Sequence, residues 1–196
     1  QVGRMRREEA QLYEQVEMAR REAGQLHQAI ATVLSETDRS TIVEKIVDGT
    51  GLILDAERAF VFLWNRQTGE LEPGIPGEAE TRSSRAVGYL GIARETISSG
   101  EAINIQDIYL DTRFFSEVMN VGTYRAKSIL SVPFINRHGE VIGVVQAMNK
   151  RRGSFTKVDE KSLKDFLPFA STALERAYFV EGLVTSRVFH DDLLEY

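Results

Sequence analysis

The stretch Ser131–Glu160, SVPFINRHGEVIGVVQAMNKRRGSFTKVDE, contains two apolar runs on either side of a short polar segment. Both runs are rich in branched aliphatic residues, and short apolar runs of this kind are typical of buried strands. The polar segment Asn136-Arg137-His138-Gly139 has the asparagine and the glycine that tight hairpin turns favour. The sequence therefore predicts two antiparallel strands, residues 128–135 and 140–148, joined by a hairpin.

A helix is predicted directly after this hairpin. Thr156 stands three residues before Asp159, so its hydroxyl can cap free backbone N–H groups, while Asp159 and Glu160 place negative charge in the first turn. The helical pattern continues to about Val184, and Pro168 is expected to kink it. Its apolar residues alternate four and three apart, the spacing of a coiled-coil seam: Phe166, Ala170, Ala173, Ala177, Val180 and Val184.

Further elements are predicted upstream of the hairpin. Ala59–Trp64 is a run of six apolar residues and predicts a central strand, which a helix with buried residues from Ile42 to Ile53 precedes. Between them and the hairpin, the patterns predict a short strand at best in 71–77, an edge strand over 81–86, a helix over 89–98 and a short strand over 102–105. The overall pattern is α+β.

The segment Gln106–Lys127 has no sustained hydrophobic period and is predicted to be a long loop with one or two helical turns. Loops of this length in compact domains are uncommon and often functional. The sequence therefore points to this loop as the place to look for a ligand lid. Asp107, Asp111 and Glu117 within it are interpreted as solvated charges rather than as a catalytic carboxylate pair.

The opening segment, from Arg4 to Leu34, has no proline and is rich in Glu, Gln, Arg and Ala, so it predicts one long helix. Its apolar residues follow a heptad spacing: Leu12, Val16, Ala19, Ala23, Leu26, Ile30 and Val33. We expect this stripe to form a parallel coiled-coil seam with a second copy. The alternative is an amphipathic helix that docks on its own domain.

Composition excludes several classes of function. The formal charge of −5 over 196 residues gives no basic footprint for nucleic acid, and Lys150-Arg151-Arg152 is interpreted as a solvated loop. No apolar run approaches the ~18 residues that span a bilayer, so no membrane partner is expected. The absence of cysteine removes disulfides, thiolate ligands and thiol nucleophiles, and we expect a cytoplasmic protein. His27, His138 and His190 fall far apart, which predicts neither a metal site nor a catalytic triad.

The hairpin and the residues after it resemble the GAF domain family, which has an antiparallel sheet of five or six strands with helices on one face and a small-molecule pocket on the other. The signature that carries the resemblance is that of the cyclic-nucleotide-linked branch found in phosphodiesterases and adenylyl cyclases: Asn149, Lys150, Phe155, Asp159 and Glu160. The resemblance implies that Lys150 and Asp159 pair as a structural lock. The alternative is an incidental surface pair beside a capped helix.

The resemblance covers about Ser35 to Glu181 and implies a division into three parts. Residues 1–34 are expected to be a coiled-coil signalling helix, 35–181 the GAF domain, and 182–196 a linker to an output domain outside this sequence.

The resemblance also implies a ligand, with cyclic AMP or cyclic GMP as the leading candidates. Its phosphate would lie at the helix start near Tyr89 and Leu90, where backbone N–H groups are free. The other implied contacts are aromatic side chains that could stack on a flat ring and one strand amide: Phe60, Phe62, Phe115, Tyr124 and Gln146. Gln146 replaces a glutamate that relatives often carry, and Met119, Gly122 and Ala126 lack polar groups that relatives use.

The resulting interpretation is a regulatory sensor domain without catalytic residues, which transmits ligand binding through the terminal helices of a homodimer. Bilin attachment and methionine sulfoxide reduction, which occur in some GAF proteins, both need cysteine. A ligand-free dimerisation module, whose pocket is filled by its own side chains, is the alternative. An enzyme would need a cluster of acid, base or metal-binding residues that these residues do not supply.

Overall fold

The structure is a computed structural model and describes residues 2–66, 68–74, 90–113 and 126–191. These residues form four helices and five strands, in the order α1 (Val2–Ser35), α2 (Arg39–Leu54), β1 (Ala56–Asn65), β2 (Glu70–Pro73), α3 (Leu90–Ser99), β3 (Ile103–Ile105), β4 (Ile129–Ile135), β5 (Val141–Lys150) and α4 (Lys157–Asp191). The predicted α+β class and the GAF-like order of elements are confirmed.

The strands form one antiparallel sheet in the order β2-β1-β5-β4-β3. The predicted hairpin joins β4 and β5, and Asn136 accepts hydrogen bonds from the backbone of His138 and Glu140 within its turn. Gly143 lets β1 approach β5, because a Cβ at that position would lie 2.2 Å from the Phe62 carbonyl oxygen. The edge strand predicted over 81–86 lies outside the described residues.

Helices α1, α2 and α4 cover one face of the sheet and share a single hydrophobic core with it. Gly49 of α2 stands where the three helices meet, since a Cβ there would lie 3.0 Å from the Phe166 ring and 3.1 Å from Ala29. Met18–Gln25 of α1 line a cleft with the start of α4, and Leu34 lies beside Arg176 near the far end of the domain. Helices α1 and α4 therefore run parallel.

The two long helices leave the core at opposite ends. The N-terminal half of α1 is exposed, with Leu12 62% and Val16 54% exposed, whereas Val33 is fully buried. On α4 the side chain of Ala177 is buried, and those of Tyr178, Phe179 and Val180 are exposed. Within the described residues, no helix combines the length and apolar character needed to cross a membrane.

Over its C-terminal half, the stripe of α1 packs on its own domain. Val33 is fully buried there, and Leu26 and Ile30 are partly buried against the same core. On α4, Phe166, Ala170, Ala173 and Ala177 are buried in the same core. The reason is that a four-and-three spacing suits a helix stripe on a domain core as well as a coiled coil.

Helix lengths also differ from the prediction. α4 continues to Asp191 rather than ending near Val184, and it remains a helix through Pro168. Pro168 lies about three turns into the helix, between the buried Leu167 and the exposed Phe169.

Candidate functional site

The face of the sheet opposite the helix layer carries two separate hydrophobic clusters. One contains Ile92, Ile105, Ile108, Ala126, Ile129 and Met148, and the other contains Phe62, Ala93 and Val144. Phe60 of β1 is half-buried and packs against both clusters. This is the face on which the resemblance places a small-molecule pocket.

A buried polar group lies on this face of the sheet. Gln146 of β5 pairs with Phe60 of β1 on one side and with Ser131 of β4 on the other. The Ser131 hydroxyl lies 2.7 Å from the Thr96 hydroxyl of α3, and Gln146 Nε2 donates to Ser131 Oγ over 3.4 Å. All three side chains are fully buried. The Gln146–Ser131 distance is long for a hydrogen bond.

The sequence reasoning missed Thr96 and Ser131. Each interrupts an otherwise apolar surface: Ser131 lies within the run ILSVPFI of β4, and Thr96 lies on the face of α3 that contains Ile92 and Ala93. A polar residue within a buried apolar stripe is the signal that could have found them, because such a group needs a hydrogen-bond partner. Their partners come from elements far apart in the chain.

The structure describes only part of the predicted ligand site. Leu90 is the first residue of α3 and packs, half-buried, against the cluster that contains Phe62, which is itself 3% exposed. Ala126 is fully buried beside Ile108. The remaining predicted positions lie outside the described residues: Tyr89, Phe115, Met119, Gly122 and Tyr124.

Asn149 anchors the start of β4 and the start of β1 to the end of β5. Its backbone adopts a left-handed conformation, with φ of 53°, and its amide N–H donates to the Ser128 carbonyl over 2.9 Å. Its side-chain Oδ1 accepts from the backbone N–H of Lys127 at 2.6 Å, and Nδ2 donates to the Glu57 carboxylate at 2.9 Å. Asparagine tolerates this conformation better than most residues.

Lys150 and Asp159 form an ion pair across the connection between β5 and α4, with Nζ 2.5 Å from Oδ1. The other oxygen of Asp159 accepts from the backbone N–H and the hydroxyl of Thr156, which in turn accepts from the Asp159 backbone N–H at 3.3 Å. This reciprocal arrangement is a capping box at the start of α4. Phe155 is buried in the core below it.

Glu160 completes the signature with two further ion pairs. Its carboxylate oxygens lie 2.7 Å from Lys157 Nζ and 2.8 Å from Lys164 Nζ. Hydrogen bonds from Lys157 and then Lys164 hold the pKa of Glu160 below its ordinary value. The signature residues thus fix the first turn of α4 electrostatically.

The Lys150–Asp159 pair lies at the helix layer. It lines a cleft of about 330 Å³ together with Met18 and Arg21 of α1 and with the end of α2. The pair therefore joins the end of β5 to the helices rather than contacting the Gln146 side of the sheet. Arg151 and Arg152, expected to be solvated, are exposed and lie 3.7 Å and 3.5 Å from the Asp55 carboxylate.

Candidate metal ligands do not gather in the part of the chain that the structure describes: no three histidine, aspartate or glutamate side chains there could hold one ion.

Two relatives of this chain are cyclic-nucleotide phosphodiesterases. The chain is 30% identical over 173 residues to the dual 3′,5′-cyclic-AMP and -GMP phosphodiesterase 11 of Drosophila melanogaster, covering 80% of this chain and 12% of that protein. It is 31% identical over 164 residues to the dual 3′,5′-cyclic-AMP and -GMP phosphodiesterase 11A of Takifugu rubripes, covering 76% of this chain and 18% of that protein. The chain thus spans less than a fifth of either relative.

Solved structures share the fold. The GAF domain of a phosphoenolpyruvate-protein phosphotransferase from Acinetobacter superposes with a TM-score of 0.64 at 16% identity, covering 82% of this chain and 97% of that one. The free methionine-R-sulfoxide reductase of Neisseria meningitidis superposes with a TM-score of 0.58 at 17% identity, covering 79% and 89%. The family profile described as "GAF domain" matches residues 38–174, and this chain belongs to the GAF domain family.

Proposed function

We propose that this chain is a regulatory sensor domain that binds a cyclic nucleotide, cyclic AMP or cyclic GMP, on the face of the sheet opposite the helix layer. The observation that carries the proposal is the buried Gln146–Ser131–Thr96 group between two apolar clusters. A primary amide offers both a donor and an acceptor, and a purine edge presents both. The relatives named above are phosphodiesterases of these two nucleotides.

The ring and the phosphate of the ligand have separate proposed contacts. Phe60 packs against both clusters and borders Gln146 in the sheet, so its ring can stack on a base held by that amide. The start of α3 at Leu90 presents backbone N–H groups and the positive end of a helix dipole to the phosphate. Tyr89, Phe115 and Tyr124 remain proposed contacts, and so does Phe62, although it is buried.

A second candidate is a ligand-free dimerisation module. It is favoured by the complete burial, by the chain's own residues, of side chains on the same face: Ile92, Ala93, Ala126, Ile129 and Met148. In that case the apolar clusters are simply a second core. The two candidates differ in whether a nucleotide binds the wild-type chain.

Calorimetric titration with cyclic AMP and cyclic GMP tests the sensor proposal. We expect binding at about micromolar concentration for one of them, weakened at least tenfold in Phe60→Leu and in Leu90→Pro. Leu90→Pro removes one N–H group while keeping the helix, because proline is tolerated at the first helical position. Trp64→Leu is the control, since Trp64 lies on the same strand and face but pairs with Leu71 of β2.

The outcomes separate the two candidates. Absence of heat at about millimolar nucleotide contradicts the cyclic-nucleotide proposal and favours the dimerisation module. Binding that Trp64→Leu weakens as much as Phe60→Leu contradicts the proposed location of the ring.

We further propose a parallel homodimer with residues 1–34 as its signalling helix, 35–181 as the sensor and 182–196 as the linker to an output domain. Leu26, Ile30 and Val33 belong to the domain's own core, so the proposed seam is limited to Leu12, Val16, Ala19 and Ala23, which are exposed. Val180 of α4 supplies the second contact. A cytoplasmic setting remains part of the proposal.

Light scattering on the double variant Leu12→Asp with Val16→Asp tests this seam. We expect its mass to fall from dimer toward monomer, because unpaired charge in an apolar seam is costly. Met18→Asp is the matched control: Met18 is 58% exposed on the same helix but falls outside the heptad stripe. An unchanged mass in the double variant contradicts the proposed interface.

A further inference from the structure

The exit of α4 from the domain lies against the turn between α1 and α2. Ala177 of α4 is buried, and the next residue, Tyr178, is 44% exposed. The turn spans only residues 36–38, and Asp38 caps α2 by accepting from the Thr41 backbone N–H at 2.8 Å. Two arginines, one from each side, bridge this turn and α4.

Arg176 of α4 caps the end of α1. Its Nη2 atom donates to the Leu34 carbonyl over 3.0 Å and also to the Glu36 carbonyl. The last turn of α1 contains no basic residue of its own. The carbonyls at a helix C-terminus lack partners within the helix and favour a cation, and here that cation comes from α4.

Arg39 makes the reciprocal contact from α2 to α4. It is the first residue of α2, where the helix dipole disfavours a cation, and it directly follows the N-cap Asp38, whose carboxylate accepts from Thr41. Its guanidinium carbon lies 4.9 Å from the centre of the Tyr178 ring. Its Nε is buried without a hydrogen-bond partner among the described residues. The Tyr178 ring of α4 therefore lies within cation–π range of the Arg39 guanidinium.

The core contacts of α4 just before this exit are small. Ala170, Ala173 and Ala177 face the core over the last two buried turns, with Leu174 as the one large side chain among them. Buried apolar area scales with side-chain size, so alanines hold a helix less firmly than leucines do. The direction in which α4 leaves the domain then depends on the contacts at the exit.

We propose that Arg176 and Arg39 form an exit latch, which fixes the end of α4 to the turn between α1 and α2. The latch couples the position of α1 to the direction of α4. A shift of α1 therefore moves the residues after Ala177. Its existence does not depend on a ligand. Its role in signalling rests on the proposed sensor function.

Hydrogen exchange followed by mass spectrometry, without nucleotide, tests the latch on the whole chain. We expect amides of residues 178–184 to exchange about two- to fivefold faster in Arg176→Ala and in Arg39→Ala, as the loss of a contact of this kind predicts. Alanine is the better helix former, so helix propensity alone would slow the exchange. The double variant should give less than the product of the two effects, because both contacts hold the same turn.

Arg137→Ala is the matched control. Arg137 lies 3.7 Å from Glu175 of α4 and is 76% exposed, but it comes from the hairpin and does not contact the turn. Exchange that stays at the wild-type rate in Arg176→Ala and Arg39→Ala overturns the latch, and so does an equal increase in Arg137→Ala. An increase spread over the whole core also overturns it, since that would be general destabilisation. None of these outcomes bears on nucleotide binding.

Discussion

The two faces of the sheet are built differently. The helix face is one continuous apolar core, to which β1, β4 and β5 contribute Val61, Leu63, Leu130, Val132, Phe134, Val145 and Ala147. The opposite face has two smaller clusters, with the polar group of Gln146, Ser131 and Thr96 buried on the same face. Burying polar groups gains little stability over apolar packing. The apolar core on the helix face thus contributes most of the stability. The polar side chains on the opposite face could instead form hydrogen bonds to a ligand.

The largest effect is expected on the helix face. Phe166→Ala removes a fully buried ring where α1, α2 and α4 meet, and we expect it to lower the free energy of unfolding by about 3–5 kcal/mol. Phe169→Ala, on the same helix but 42% exposed, should cost less than about 1 kcal/mol. Urea denaturation measures both. Similar losses in the two variants would contradict the assignment of the core.

An intermediate effect is expected on the opposite face. Ser131→Ala removes the 2.7 Å partner of the Thr96 hydroxyl, which keeps its hydrogen bond to the Ile92 carbonyl, so we expect a loss of about 1 kcal/mol. Adding Thr96→Val should cost less than the sum of the two single changes, because either single change already removes the bond between the two hydroxyls. Urea denaturation of the two single variants and the double variant forms the cycle. Strict additivity would mean that the two hydroxyls do not interact.

The smallest effect concerns the first turn of α4 and depends on pH. The pKa of Glu160 is lowered in the folded chain by Lys157 and Lys164. Its ion pairs therefore add stability above the unfolded pKa of about 4.3, and this is lost as the pH falls through the lower folded value. Glu160→Gln should cost under about 1 kcal/mol at pH 7 and less at pH 3. A loss of stability in Glu160→Gln that increases as the pH falls would contradict this pH dependence.

Features that depend on neighbouring residues could be predicted from the sequence. The hairpin turn at Asn136–Gly139, the capping box of Thr156 and Asp159, and the apolar run of β1 all depend on short-range spacing. The surface on which the α1 stripe packs could not be predicted, because Leu26 and Val33 have the same spacing whether they face a partner helix or their own core.

The polar group of the candidate site and the exit latch could not be predicted from the sequence either. Gln146 and Ser131 meet only because β4 and β5 pair in one register, and Thr96 reaches them from a helix outside the sheet. Arg176 and Leu34 are 142 positions apart. Contacts of this kind depend on tertiary packing, on which a single sequence gives no direct information.

The parallel course of α1 and α4 gives the domain a polarity. Because one helix enters at one end and the other leaves at the opposite end in the same direction, a second domain of the same kind could follow this one without a reversal of the chain. Such domains would follow one another along one axis. A rotation or translation of the entering helix in the first domain would keep its direction in each of the following domains.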